Sequence, residues 1–403
     1  MKVLHLLKTS IGANWAVRQV RELIKLGVDV HVAVPSGGPR IPEYTAVGAT
    51  VHEVQTDFPM RHLWHYPQVF NAFRQLVAQV NPDLIHSHFV GTTLTMRLAL
   101  GRNHSIPRIF QVPGPLHLEY PLLRWAEVLT AGKQDYWVGS CQWTRNCYRQ
   151  MGIPSDRVFL SYYGMDFHLL DQPRTGKLRQ ELGVDADTKL VGMVAAMYPP
   201  KRLLGQTQGI KGHEDLIDAI ALCLQHEPNI LGVFIGGAWN GATAYEQQLR
   251  DYGRKKCGDR AVFLGMRDDV TDLLPDLNVS VNPSHSENLA GTTVESLVFD
   301  VPCVVTNVGG FPDLIQPGET GWLVSPRNPE QLAAAILEAL RDPVRSRQMA
   351  RRGANLAQQI GDIRENAKEI FSIYQTVLAG TPEISELSKN DSRSTDYYSL
   401  KRS

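Results

Sequence analysis

The sequence predicts an α/β protein made of two doubly wound parallel-sheet domains, and three observations carry that reading. Short β-branched runs alternate with amphipathic helical stretches along the chain, the pattern of parallel strands joined by crossover helices. At 403 residues the chain exceeds the size at which one hydrophobic core keeps growing. The alternation breaks after residues 159–166 and starts again at residue 189, which divides it into two series.

In the first series, residues 3–7 form a strand and residues 8–14 a loop. Val17, Val20, Leu23 and Ile24 then recur on one helical face. Residues 28–34 are the next strand, stopped by Pro35-Ser36-Gly37-Gly38-Pro39. Residues 67–80 are amphipathic and helical, and 83–87, 109–112 and 137–140 are strands. The second series runs strand 189–194, helix 214–224, strand 230–235, helix 244–253 and strand 261–264. Strand 277–284 ends in a turn, 301–306 is a buried strand, and 349–378 is strongly helical. Residues 381–403 are rich in Ser, Asp and Lys and poor in aliphatics, so disorder is expected there. Two such sheets facing each other leave a cleft at the carboxyl ends of their strands, where ligands of this architecture bind.

Charge balances at 41 basic and 41 acidic residues, which excludes a nucleic-acid-binding protein in bulk. Residues 1–160 hold 16 Lys/Arg against 10 Asp/Glu, so the first half is basic and the second acidic. That asymmetry suits a first half facing an anionic acceptor or the inner face of a membrane, and equally suits uneven solvated charge. Five scattered cysteines fit a reducing compartment. The apolar N-terminus is too short for a signal peptide, and no apolar run is long enough to span a bilayer. A cytoplasmic protein is expected, with peripheral contact at the inner membrane face. The basic, aromatic run Arg61-His62-Leu63-Trp64-His65-Tyr66 could make that contact or pack as an ordinary loop.

The most informative stretch is Ser286-Glu287-Asn288-Leu289-Ala290-Gly291-Thr292-Thr293-Val294-Glu295. It sets two carboxylates eight positions apart across a loop-to-helix junction. Thr292 is expected to cap a helix with Val294, Leu297 and Val298 on its apolar face. The free amides of such a start suit phosphate, and the flanking acids suit hydroxyls. A nucleotide sugar carries both.

This stretch resembles the Glu-x7-Glu motif of the retaining GT-B glycosyltransferases of family 4. Val308-Gly309-Gly310-Phe311-Pro312-Asp313 and Gly318-Glu319-Thr320-Gly321-Trp322-Leu323-Val324 continue the likeness in the right order. The resemblance implies two facing Rossmann-like domains, an acceptor-side domain at 1–165 and a nucleotide-sugar domain at 188–361. It also implies a crossover helix at 362–380 that packs back on the first domain, before the tail at 381–403. It makes Glu287 the sugar-side carboxylate and Glu295 the ribose-side one, with Leu289, Ala290, Gly291 and Thr292 on the donor. Lys211, in Lys211-Gly212-His213-Glu214, would neutralise the departing diphosphate.

Other positions are less determined. The family's arginine upstream of that lysine is missing, and Lys201 or Arg202 could replace it or remain loop cations. Gly236 could bring backbone to a ligand or simply end a strand, and Gly265-Met266-Arg267 matches where the nucleotide base sits. Gly12 keeps one flexible position where the family has a Gly-Gly turn. Asn14 follows it as a candidate for a sugar hydroxyl, and Trp15 as a stacking face or, as a lone Trp more often is, a core residue. The family's histidine after strand 109–112 is replaced by Pro113, so His117 stands as its substitute or as an ordinary loop histidine. Only one of His86 and His88 is expected to face the cleft, with His88 preferred, and their spacing makes no zinc site.

The function implied is retaining transfer of a sugar, UDP-linked by expectation, to a glycan, lipid-linked or small-molecule acceptor. No metal and no cofactor beyond the donor are implied. A nucleotide-sugar epimerase of the same fold and a non-catalytic relative are the rivals.

Overall fold

A computed structural model describes residues 1–59, 62–167 and 175–380. The segment 381–403 and Arg61 therefore lie outside the described residues. The first sheet comprises β1 (Lys2–Leu6), β2 (Asp29–Val34), β3 (Thr50–Glu53), β4 (Leu84–Ser87), β5 (Arg108–Gln111), β6 (Asp135–Gly139) and β7 (Val158–Leu160). Its order is β3-β2-β1-β4-β5-β6-β7, parallel throughout. The second comprises β8 (Lys189–Val194), β9 (Ile230–Ile235), β10 (Ala261–Gly265), β11 (Val279–Asn282), β12 (Cys303–Thr306) and β13 (Trp322–Val324). Its order is β10-β9-β8-β11-β12-β13, again parallel. Both are doubly wound, because in each the chain starts near the middle and works outward in two directions. The switch points, β1 against β4 and β8 against β11, put the loops after those strands where two crossovers diverge.

Helices cover both faces because the central strands are buried on both sides. β1, β4 and β5 are buried almost end to end, as are β9, β11 and β12. The helical face read from Val20 and Leu23 is buried in helix Asn14–Lys25. The long helical stretch near the C-terminus is two helices, Pro343–Gly361 and Ile363–Ala379. They part at Asp362, which leaves the helical region (φ −66°, ψ 122°) and caps the next helix through its side chain to the Arg364 amide. Met165 pairs with the backbone there, donating to Gly361 O at 2.8 Å and accepting from Ile363 N at 3.1 Å. The two chain crossings between the sheets thus run bonded side by side. Beyond the break, Ile370, Ile373, Tyr374 and Val377 enter the core built on β1, β2 and β4. None of the described helices is long and apolar enough to cross a membrane.

Candidate active site

After β11 the chain makes the loop 283–290 and enters helix Gly291–Val298, which Val294 and Leu297 pin into the core. Ser296 Oγ lies 2.8 Å from Ser280 Oγ and fixes the helix on its own strand. Thr292 does not cap the helix as expected. Ala290 occupies the cap position with no side-chain hydrogen bond, and Thr292 Oγ1 instead donates to Asn282 Oδ1 at 3.3 Å. The helix starts two residues earlier than a Thr292 cap requires, which leaves the first-turn amides without a side-chain partner.

Two glycines shape this loop. Gly309 has φ +52°, and a Cβ there would sit 1.6 Å from the Glu287 carbonyl oxygen. Gly212 has φ +74°, and its Cβ would sit 2.1 Å from Pro283 O. Only glycine allows these backbones to touch. The second contact carries Lys211 to the Glu287 loop, where Lys211 Nζ forms a close ion pair with Glu287 Oε2. Ser284 Oγ donates to the same oxygen at 3.3 Å, and the Asn288 amide donates to Oε1 at 3.2 Å.

The electrostatics follow from this packing. Burial works against the Lys211 charge, but the Glu287 carboxylate outweighs it and holds the lysine above its ordinary pKa. Tyr198 faces the pair, its hydroxyl pushed up by burial and by Glu287 and pulled down by Lys211. Glu295 is half-buried one turn into the helix. Burial raises its pKa against the opposing pull of Arg18, which reaches it from the first sheet's side.

Asn288 bridges the two sheets. Its Nδ2 donates to Ser140 Oγ at 2.7 Å and to Pro113 O at 3.3 Å. Asp313 crosses beside it, accepting from the Gln142 amide at 2.8 Å and from Tyr162 Oη at 3.1 Å. Burial pushes the Asp313 carboxyl up to about 6, although both donors and Arg145 oppose the shift. The folded carboxyl holds its proton where an ordinary one, near 3.8, has lost it. The native state then binds more protons, so stability is expected to fall as pH rises through that window and level off above it. Thermal midpoints from pH 4 to 7 should show native protein losing ground to Asp313→Asn across the window. Parallel curves would refute the assignment.

Lys211, Glu287, Leu289, Ala290, Gly291, Thr292 and Glu295 therefore fall in one region. Lys201 is exposed. Burial and the charge of Lys8, on the first unit's loop, lower its pKa, so these two cations face each other. Arg202 is exposed beside it, and Gln206 of the same loop lies 3.4 Å from Tyr120 Oη across the cleft.

The other candidate residues stand in these surroundings. His117 is buried, its Nε2 3.2 Å from Tyr148 Oη and its ring 5.7 Å from Phe110, so it belongs to the packing of the first unit. Arg267 is clamped by Glu181 and Asp269, which raise its pKa and occupy its guanidinium. The space beside Gly236 belongs to backbone of the protein itself, since a Cβ there would meet Ala195 O at 2.0 Å. The left-handed residue of the first loop is Ala13 (φ 63°), not Gly12. Trp15 packs against Tyr163 and His88, with centroids 4.1 and 5.2 Å away, while Asn14 is exposed. His86 and His88 are both buried, because positions two apart share a face of a strand. Asn288, Tyr198, Arg18 and Lys8 went unread. Their signal is tertiary, apart from the placement of Asn288 next to Glu287.

A family model described as Glycosyltransferase Family 4 matches residues 12–169, and one described as Glycosyl transferases group 1 matches residues 202–342. A D-inositol 3-phosphate glycosyltransferase of Corynebacterium aurimucosum is 23% identical over 385 residues, 86% of this chain and 87% of the relative. Another, from Thermomonospora curvata, is 28% identical over 298 residues, 68% of this chain and 66% of the relative, just under two thirds of its length. Anabaena HepE, solved in complex with UDP, matches with a TM-score of 0.77 at 21% identity, covering 93% of this chain and 100% of that one.

Proposed function

We propose, for a chain that belongs to the group 1 glycosyl transferases and has the GT-B fold, that it moves a sugar from a UDP-sugar to a hydroxyl acceptor, with retention at the anomeric carbon. The observation carrying this reading is the Lys211–Glu287 pair at the uncapped start of helix Gly291–Val298, with Glu295 one turn further on. The diphosphate would lie on the first-turn amides with Lys211 beside it. Glu287, already oriented by Ser284 and the Asn288 amide, would turn from the lysine to the sugar hydroxyls. Glu295 would take the ribose hydroxyls. Its raised pKa marks a carboxylate that is short of partners until a ligand supplies donors.

As the bond to the departing phosphate lengthens, charge gathers on its oxygen. Lys211 and the helix start stabilise that charge more in the transition state than in the ground state. This neutralisation needs no metal. The acceptor would attack from the leaving-group side, with a donor phosphate oxygen taking its proton. Lys201, whose charge feels Lys8 of the first unit, would take the place of the absent arginine. UDP is preferred because HepE, a protein of similar fold, is solved with UDP and with UDP-glucose. The acceptor would lie against the first unit. There the apolar stripe Leu122, Trp125 and Leu129 of helix Pro121–Leu129 is exposed and suits peripheral contact with a membrane carrying a lipid-linked acceptor.

NMR of freshly released sugar tests this reading, using a panel of UDP-α-hexoses incubated with the protein. Slow hydrolysis giving the α-anomer first is expected. The β-anomer first would exclude retention, and conversion to an epimeric UDP-sugar would favour the epimerase.

A further inference from the structure

His5 of β1 lies 83 positions before His88, which follows β4, yet the two meet with His86 of β4 at the switch point of the first sheet. All three side chains are fully buried, and one ring nitrogen from each lies within 4.8 Å of the others.

The hydrogen bonds around them fix where the protons sit. Tyr163 Oη donates to Gln111 O at 3.2 Å, so its oxygen accepts from His88 Nδ1 at 2.9 Å. A neutral imidazole has one N–H, which leaves a bare lone pair on His88 Nε2. His5 Nδ1 lies 2.9 Å from that lone pair and donates its N–H to it. The other nitrogen of His5 and the Nδ1 of His86 both reach Tyr374 Oη, at 3.3 and 2.5 Å. His86 Nε2 is buried with no hydrogen-bond partner. Each ring thus spends one nitrogen on a tyrosine hydroxyl, and the three others are His5 Nδ1, His86 Nε2 and His88 Nε2. Metal-ligating histidines show this division, in which an outer partner fixes the ring and its tautomer.

We propose that His5, His86 and His88 bind one first-row transition-metal ion of the zinc class in the core of the first unit. Imidazole nitrogens with no carboxylate among them suit zinc, nickel or copper and reject magnesium and calcium. His5 joins the set when its hydrogen moves from Nδ1 to Nε2, where it faces Tyr374 and frees Nδ1 and His88 Nε2 together. The surroundings make the role structural, since all three histidines are fully buried and Trp15 packs on His88 with centroids 5.2 Å apart. Through Tyr374 the ion would tie β1 and β4 to helix Ile363–Ala379, and through Tyr163 to the segment entering the first crossing.

The test uses the full chain without a histidine tag, stripped by chelator, incubated with Zn²⁺, Ni²⁺ or Cu²⁺ and freed of excess. About one ion per chain is expected to remain for at least one of them, with a higher thermal midpoint. His88→Gln and, separately, His86→Gln should lose both. The half-exposed pair His31 and His52, with nitrogens 2.9 Å apart, is the control, and the double variant His31→Gln/His52→Gln should keep its ion. No ion retained by the native chain overturns the proposal whether or not the variants fold. So does an ion lost only from the control.

Discussion

Replacing Lys211 with alanine is expected to lower turnover about 10²- to 10³-fold, the usual loss when a fixed charge or donor at a developing oxyanion is removed. The argument rests on position. Lys211 is three-quarters buried, and Gly212 lets its loop press on Pro283, so its ammonium cannot swing away. The substitution also leaves Glu287, 16% exposed, without its countercharge, which should cost on the order of 1–3 kcal/mol of stability. Lys211→Ala should therefore lose activity and stability together. The double variant Lys211→Ala/Glu287→Gln removes the unpaired carboxylate, so it should recover stability while activity stays lost. Lys211→Arg should recover stability but little activity, because a planar fork does not replace a compact ammonium. Steady-state kinetics beside thermal melts decide it. Turnover of Lys211→Ala within about threefold of native would remove the lysine from the mechanism.

Gly309→Ala is the second large effect. The new methyl would lie 1.6 Å from the Glu287 carbonyl oxygen, in a residue whose φ of +52° already disfavours a side chain. The backbone strain alone is about 1–3 kcal/mol. The clash must be relieved by moving the loop that carries Glu287, so a fall in turnover beyond what the melt explains is expected. Gly318→Ala isolates the strain, because Gly318 has φ +78° and open space around it. It should lose stability with activity nearly intact. Equal activity in the two variants would show that the Glu287 loop is not seated by this contact.

Much of this was legible in the sequence for a physical reason. Strand alternation and helical periodicity are local, so the parallel sheets and the motif helix could be read directly. Glu287, Glu295 and Lys211 sit in segments whose residue types state their chemistry. The glycine turn at 309 and 310 could be read as a turn, but its purpose, making room for the Glu287 backbone, is a contact across more than twenty residues. The His5, His86 and His88 cluster escaped because zinc spacing looks for ligands near in sequence, whereas adjacent parallel strands bring distant ones together. His117 and Arg267 were harder to read for the opposite reason. Their types fit the chemistry, yet Tyr148 claims one, and Glu181 and Asp269 claim the other.

The most direct measurement is thermal unfolding of native protein and Glu295→Ala with UDP, GDP, ADP and dTDP. A nucleotide at about a hundred times its dissociation constant adds roughly 2.7 kcal/mol, a shift of several degrees. A rise with UDP that vanishes in Glu295→Ala is the predicted result, placing the ribose on that carboxylate. No rise with any nucleotide, or an equal rise in both proteins, would contradict it.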